Sequence, residues 1–319
     1  MSVIMKKRIF ITGGAGYIGT TLIPLLLREG HQVTVYDSLM FNNGDKLLPY
    51  ITDKNFKFVE GDVRDFEKLS QSVKDYDVVI HLAALVGFPI CRERGEIESH
   101  QVNVVGTQNI INSLSPDQYL LFGSTGSNYG EVLGVCTEET PLNPLSVYGK
   151  TKTKAESLVM GRQNSTAFRF ATAFGVSPRL RLDLLVNDLT YKSLTEGYAV
   201  IYESHFMRTF IHVKDIARAF MFAIDNQEEL KNNTYNVGSN DMNHSKKEIC
   251  ELIKSKVEGS YFNYADIGQD ADKRNYVVSY EKLSKLGFNT TISLEEGIEE
   301  LIKTVALIKT HSPYFNVIK

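Results

Sequence analysis

The sequence predicts an α/β fold: a doubly wound parallel sheet with a smaller α/β domain toward the C-terminus. Three observations carry that expectation. Apolar strand-like runs alternate with helix-like stretches through the first half of the chain. A cluster of glycines follows the first run directly, and small or polar residues stand at the carboxyl end of each later run. Strands alternating with helices imply a parallel sheet covered on both faces. Ligands of such sheets gather at the carboxyl ends of the strands.

The first run, Arg8-Ile9-Phe10-Ile11-Thr12, leads into Gly13-Gly14-Ala15-Gly16-Tyr17-Ile18-Gly19 and a helix-like stretch over 17–29 that Gly30 stops. Strand, glycine turn and helix in this order form a pyrophosphate-binding device. The glycines let the backbone turn sharply and approach the anion, and the helix N-terminus offers amide donors and the positive end of a dipole. Pro24 inside this helix removes a backbone donor and predicts a local kink. Gln32-Val33-Thr34-Val35-Tyr36 reads as the second strand and ends at Asp37. An acidic residue about 20 positions beyond the glycines is where a ribose 2′-hydroxyl is bound. A carboxylate accepts from that hydroxyl and repels a 2′-phosphate, so the expected cofactor is NAD rather than NADP.

Further strands follow the same pattern. Phe56–Val59 ends in Glu60-Gly61-Asp62, Asp77–Leu82 in Ala83-Ala84, Gln118–Phe122 in Gly123-Ser124-Thr125, and Thr166–Phe170 in Ala171-Thr172. Helices are expected over 63–73, 96–114 and 148–160. After about residue 175 the alternation loosens. The expected division is a dinucleotide-binding domain over 1–175, with a segment at about 206–238 returning to it, and a mainly substrate-binding domain over 176–319.

Composition bounds the function. With 319 residues, 43% hydrophobic and 23% charged, the chain has the make-up of a soluble globular protein. A net charge of −3 gives no reason to expect nucleic acid or an anionic membrane as partner. Cys91, Cys136 and Cys250 have no paired spacing, which argues against a disulfide framework or a metal site and for reduced cysteines in the cytoplasm. No apolar run reaches membrane-spanning length, and the N-terminal apolar run continues into the glycine loop as part of the fold.

The candidate chemistry lies at Ser124-Thr125 and at Tyr148-Gly149-Lys150-Thr151-Lys152. Tyr148 and Lys152 are four apart, on one face of a helix. A tyrosine is too weak a base at neutral pH, but a nearby ammonium and a positively charged nicotinamide both favour the phenolate. Such a tyrosine can take the proton of a sugar or alcohol hydroxyl. A hydroxyl at Ser124 or Thr125 can hydrogen-bond the same oxygen.

These motifs, with Gly61-Asp62-Val63, His81-Leu82-Ala83-Ala84, Val102-Asn103-Val104-Val105-Gly106-Thr107, Arg208–Asp215 and Tyr235-Asn236-Val237-Gly238, resemble the extended short-chain dehydrogenases/reductases of the nucleotide-sugar epimerase/dehydratase group. The resemblance spans nearly the whole length and implies a Rossmann-type domain. It implies cofactor contacts at Gly13, Gly16, Tyr17, Ile18, Gly19, Asp37, Asp62 (beside adenine), Val63, Ala83 and Ala84. Thr125 matches the catalytic hydroxyl with Ser124 as its neighbour, Tyr148 the base, and Lys152 the residue on the nicotinamide ribose. On the substrate side it implies Gly87, Thr172, Asn187, and the arginines Arg208 and Arg274, whose guanidinium forks suit a diphosphate. Relatives commonly pair through the helix that begins near Tyr148, so a homodimer or homotetramer is expected.

The departures narrow the reaction. Dehydratases of this group carry Asp-Glu immediately after the catalytic threonine, where this chain has Gly126-Ser127. Neither residue is an acid or base at neutral pH, so dehydration is not expected. Thr172 stands where many members have asparagine. The expected activity is NAD-dependent oxidation at C4 of a nucleotide-diphosphate sugar. The stretches Leu85–Pro89 and Ser177–Asp183 resemble dehydrogenases acting on GDP-linked manno-heptose in bacterial polysaccharide assembly. A 4-epimerase is the alternative, and a non-catalytic dinucleotide-binding regulator a minor one, disfavoured because the hydroxyl, tyrosine and lysine are all present.

Overall fold

The computed structural model describes residues 6–265 and 275–308. At its centre lie seven strands: β1 (Arg8–Thr12), β2 (Gln32–Asp37), β3 (Phe56–Glu60), β4 (Val78–His81), β5 (Tyr119–Thr125), β6 (Ser165–Phe170) and β7 (Asn233–Val237). They form one sheet in the order β7-β6-β5-β4-β1-β2-β3, and every pairing is parallel. The chain runs outward from β1 in one direction and from β4 in the other. The strand order therefore reverses between β1 and β4, and a crevice opens above their carboxyl ends.

Helices cover both faces because every strand of the centre is buried on both. Below one face α1 (Gly19–Arg28) and α7 (Val213–Asp225) set Leu22, Ile23, Leu26, Ile216 and Phe220 against Ile9, Ile11, Val33 and Val35. Against the other face α2 (Phe66–Ser72), α4 (Gly106–Ser113) and α5 (Val147–Met160) set Leu69, Ile110, Ala155 and Val159 against Phe10, Val79, Leu120 and Phe122. Such alternation across an all-apolar strand is what a two-sided parallel sheet demands.

Two local features answer the sequence expectations. Pro24 lies inside α1, and the helix continues through it. The carbonyl that Pro24 leaves without its helical donor is that of Thr20, and it accepts instead from the Tyr50 hydroxyl at 3.1 Å. The helix expected to start at residue 96 is preceded by another helical piece. α3 (Phe88–His100) is broken at Gly95, whose φ of +82° no helix residue adopts, and a single π-turn at Gln101–Val105 joins it to α4. The sequence pattern registers only the second piece, because Gly95 interrupts the apolar period.

Beyond the sheet, α6 (Leu185–Thr195), α8 (Lys246–Lys256) and α9 (Leu294–Val305) pack a separate core around Val186, Leu189, Ile249, Ile253 and Ile298. Ser245 with Glu248 and Ser293 with Glu296 form capping boxes that start α8 and α9. Short strands flank this core: Thr172–Phe174, Met207–His212 and Asn243–Ser245 form one sheet, and Tyr198–Tyr202 pairs with Tyr261–Ala265. Among the described residues no helix is long and apolar enough to cross a membrane.

One buried ion pair joins α5 to the sheet. Glu156 accepts from Arg169 Nη2 at 2.7 Å and from its Nε at 3.0 Å, with both side chains less than a tenth exposed. Arg169 also donates to the Tyr129 hydroxyl at 3.0 Å and to the Glu138 carbonyl at 3.1 Å. Removing one partner of a buried pair leaves an uncompensated charge, which costs about 3–5 kcal/mol. We expect Glu156→Ala to lower the unfolding free energy obtained by denaturant titration by that amount, with a matching fall in the midpoint, and Glu156→Leu combined with Arg169→Met to recover most of it. An unchanged midpoint in Glu156→Ala would show that the pair is not what fixes α5.

Candidate active site

The crevice above β1 and β4 is built first by close backbone approach. Gly13 has φ +71°, and a Cβ there would stand 2.6 Å from the Ala83 amide nitrogen. Only glycine lets the turn after β1 sit against the end of β4. At the end of that turn α1 begins at Gly19 with no side-chain cap on Ile18, so the positive end of the helix dipole is presented to the crevice. Gly13, Gly16, Tyr17, Ile18 and Gly19 all line it.

Asp37, at the end of β2, lines the same crevice and is held in place by two amides. It accepts from Ala15 N at 3.0 Å and from Leu39 N at 2.9 Å. Burial pushes its carboxyl up from the ordinary value, with those two amides and Arg179 opposing. Beside it stands Asn43, which the sequence reading did not single out. Its Nδ2 donates to the Ala15 carbonyl at 2.7 Å, while its buried Oδ1 accepts from nothing in the protein. An orphaned buried acceptor next to a carboxylate is what the adenosine ribose hydroxyls of NAD would satisfy, so the residues present fit that cofactor. Farther along, Asp62, Val63, Ala83 and Ala84 line the crevice. Asp62 is gripped by the Arg64 guanidinium through Nη2 at 2.6 Å and Nε at 3.0 Å. Burial raises its carboxyl, but Arg64 outweighs this and holds it below the usual range.

The chemical end lies where β5 and α5 meet. Ser146 caps α5 by accepting from Gly149 N at 3.1 Å, which sets Tyr148 in the first turn, half-buried on the crevice wall. Lys152, one turn on, is buried with its Nζ 3.8 Å from the Phe122 ring centre. Burial drives this ammonium down to about 7, against the pull of Glu156. Thr125 opens a short turn and lines the crevice. Its hydroxyl accepts from Ser127 N and donates to Ser127 Oγ, both at 3.1 Å. Ser124 also reaches the wall, but its hydroxyl donates to Glu156 at 2.5 Å and accepts from Asn128 Nδ2 at 3.2 Å. It is thus tied to the buried ion pair beneath the site. His81, at the end of β4, is a packing residue: Thr12 and Thr107 hydroxyls meet its two nitrogens at 2.7 and 3.0 Å, and burial, helped by Lys152, drives it down to about 3.

Where the resemblance implies Asp-Glu after the threonine of a dehydratase, Gly126 and Ser127 stand with little room to spare beside Gly126. A Cβ on Gly126 would lie 3.3 Å from the Phe170 carbonyl and 3.4 Å from the Tyr276 hydroxyl, and Tyr276 is buried.

Of the residues expected on the substrate side, Gly87 and Thr172 line the crevice. The Thr172 hydroxyl is buried without a hydrogen-bond partner in the protein. Asn187 and Arg208 are not brought there. The Asn187 amide accepts from Gly175 N at 3.0 Å and donates to the Arg181 carbonyl at 2.8 Å, which fixes a turn. Arg208 is buried beside Phe206 and donates to the Met207 carbonyl at 3.2 Å. Arg274 lies outside the described residues. The sequence reading gave Arg179 no role. The structure shows that the segment Gly175–Asp183 crosses the crevice. Tyr17 donates to the Gly175 carbonyl at 2.6 Å, Ser177 to the Tyr17 carbonyl at 2.7 Å, and Arg179 lies 5.2 Å from the Phe41 ring.

Comparison with known proteins agrees with this geometry. The model of the NAD dependent epimerase/dehydratase family matches residues 9–238. The low-salt glycan biosynthesis protein Agl12 of Haloferax volcanii is 29% identical over 309 residues, covering 92% of this chain and 97% of that protein. UDP-glucose 4-epimerase of Corynebacterium glutamicum is 27% identical over 286 residues, covering 77% and 79%. The solved UDP-glucuronic acid 4-epimerase of Bacillus cereus, in complex with UDP-glucuronic acid and NAD, superposes with a TM-score of 0.83 at 23% identity, covering 94% of this chain and 99% of that one, a likeness of fold. A nucleotide-binding crevice at the switch point, a tyrosine–lysine pair on its wall and a family match over most of the chain lead to one conclusion: this protein belongs to the NAD dependent epimerase/dehydratase family.

Proposed function

We propose that this protein oxidises C4 of a nucleotide-linked sugar. The observation that carries the reading is the convergence on one crevice of Asp37, the glycine turn, Thr125, Tyr148 and Lys152. When bound, NAD supplies the acceptor for the hydride of C4. Tyr148 takes the proton of the C4 hydroxyl, and the Thr125 hydroxyl hydrogen-bonds the same oxygen as charge gathers on it. Lys152 would hold the nicotinamide ribose. Ser124, whose hydroxyl is given to Glu156, holds the floor of the site in register rather than facing the sugar. Residues 1–175 with 206–238 would carry the dinucleotide and the remainder of 176–319 most of the sugar contacts, with Thr172 as an unmet hydroxyl toward the substrate.

The reading we favour ends with the keto sugar leaving, as in a 4-dehydrogenase. It rests on the resemblance of Leu85–Pro89 and Ser177–Asp183 to enzymes of GDP-linked heptose in surface polysaccharide assembly. The second reading is a 4-epimerase, in which the keto sugar turns over and is reduced on its other face. The names of relatives such as the Corynebacterium glutamicum enzyme favour it. Dehydration is disfavoured by Gly126 and Ser127, neither of which is an acid or base at neutral pH.

Incubation with a panel of nucleotide sugars, read by product mass and NADH absorbance, separates these outcomes. Loss of two hydrogens identifies the dehydrogenase, an unchanged mass with a new stereoisomer the epimerase, and loss of water would overturn both. Tyr148→Phe keeps the ring and removes the hydroxyl, and we expect turnover to fall at least about 100-fold. Turnover near the wild-type rate would remove Tyr148 from its role. For the cofactor, calorimetry on the free protein is expected to show NAD bound at least about tenfold tighter than NADP, a difference of about 1.4 kcal/mol. Tighter NADP binding would contradict the role of Asp37.

A further inference from the structure

Lys152 is buried on the crevice wall, and what its ammonium touches is an aromatic ring. Along β5, Leu120 and Phe122 alternate onto the face that α5 covers with Ala155 and Val159. Ser124, two residues on, reaches Glu156 of the same helix. Phe122 is fully buried, and Lys152 Nζ stands over its ring, 3.8 Å from the centre. The ammonium thus has the ring face on one side and the crevice on another.

We propose that Phe122 is a positioning residue of this site: its ring face seats the Lys152 ammonium, fixing it on the crevice wall and favouring its charged form. The inference rests on the reading of Lys152 as the group that holds the nicotinamide ribose.

An ammonium withdrawn from water needs compensation, and burial drives this one down to about 7. Glu156, one turn along α5, opposes burial, but its carboxylate is committed elsewhere. It accepts from Arg169 Nη2 at 2.7 Å and Nε at 3.0 Å, from the Ser124 hydroxyl at 2.5 Å and from Asn128 Nδ2 at 3.0 Å. Among the described residues no hydrogen bond or ion pair reaches Lys152 Nζ. The negative face of an aromatic ring attracts a cation, most strongly where water is excluded. Phe122 meets both conditions.

No second cation contests the ring. His81 lies beside it with ring centres 5.7 Å apart. Burial, with Lys152 adding to it, drives His81 down to about 3, so this neighbour is neutral. Arg169, on β6, is turned to Glu156 and to the Tyr129 hydroxyl. Tyr148 stands one turn earlier on α5, and Lys150 and Lys154 of that helix are exposed. α4, packed against α5, carries no titratable side chain. On α3, Arg92, Glu93 and Glu96 are exposed, Arg94 pairs with Glu98 at 3.7 Å, and His100 meets Lys154 at 3.5 Å on the solvent side. On the crossing segment, Arg181 is bound to Asp183 at 2.6 Å and Arg179 lies by Phe41.

The test reads the charge of Lys152 directly, in the full-length protein without nucleotide. Lysine labelled with carbon-13 at Cε is followed by NMR across pH, and Lys152→Met identifies the signal. Losing an attraction to the cation favours the neutral amine, so the midpoint moves to lower pH. Phe122→Leu keeps apolar bulk and removes the ring. Pentafluorophenylalanine placed at residue 122 keeps the ring and reverses the charge of its face. Each is expected to lower the Lys152 midpoint by about one pH unit, a tenfold loss of ammonium relative to amine at a given pH. Phe122→Tyr keeps an electron-rich face and is expected to stay near the wild-type midpoint. If Phe122→Leu does not fold, the fluorinated ring, close in shape to the native one, carries the test. A ring that serves packing alone would leave the lysine midpoint in place in the fluorinated protein, and that result overturns the proposal. Because the readout needs neither cofactor nor sugar, failure to turn over any nucleotide sugar would sink the C4 reading and leave this result standing.

Discussion

The contact of the Gly13 turn with the backbone of Ala83 is the constraint on which the rest of the site depends. A side chain at residue 13 would force the ends of β1 and β4 apart, and the crevice between them would lose its floor. With glycine there, the start of α1 is brought to one side of the crevice and the end of β5 to the other. Asp37 then lies at one extremity and Tyr148 at the other, as a dinucleotide spanning the switch point requires.

A second set of contacts binds residues 175–183 to the crevice wall. Residues 175–183 leave the sheet after β6 and the short strand Thr172–Phe174, then run back over the glycine turn. Thr20 and Ser177 hydroxyls meet at 3.0 Å, Tyr17 is fixed under Gly175, and Arg181 reaches the Val86 carbonyl. One segment therefore touches the turn after β1, Phe41 beyond β2 and the loop after β4. Residues expected to serve the sugar and residues expected to serve the cofactor share a wall. Two buried ion pairs fix these elements: Arg169 with Glu156 ties the helix that carries Tyr148 to the sheet, and Arg181 with Asp183 holds the segment beside the Val86 carbonyl.

What was legible in the sequence was what chemistry encodes locally. The glycine turn, Asp37 at a strand end and the four-residue spacing of Tyr148 and Lys152 each follow from period and residue type, and the structure sets all of them on one crevice. What was not legible depends on partners far along the chain. The commitment of Ser124 to Glu156 spans 32 residues, and that of Asn187 to Tyr17 spans 170. A polar residue at a helix position reads the same whether it meets a ligand or ties down a turn. Asn43 carried a usable signal, being a small amide soon after the acidic strand end, but only its orphaned oxygen separates it from an ordinary turn residue. Gly95 hid a helical piece because a break in period looks like a loop.

The central claim is that bond-breaking occurs at C4 with Tyr148 as its base. A nucleotide sugar carrying deuterium at C4 tests it most directly. The account predicts a primary isotope effect on turnover and deuterium that never exchanges with water: it is found on the cofactor if the keto sugar leaves, or back at C4 of the stereoisomer if it is reduced again. Turnover without an isotope effect, with the label at C4 either untouched while another carbon is altered or washed out into solvent, would contradict it.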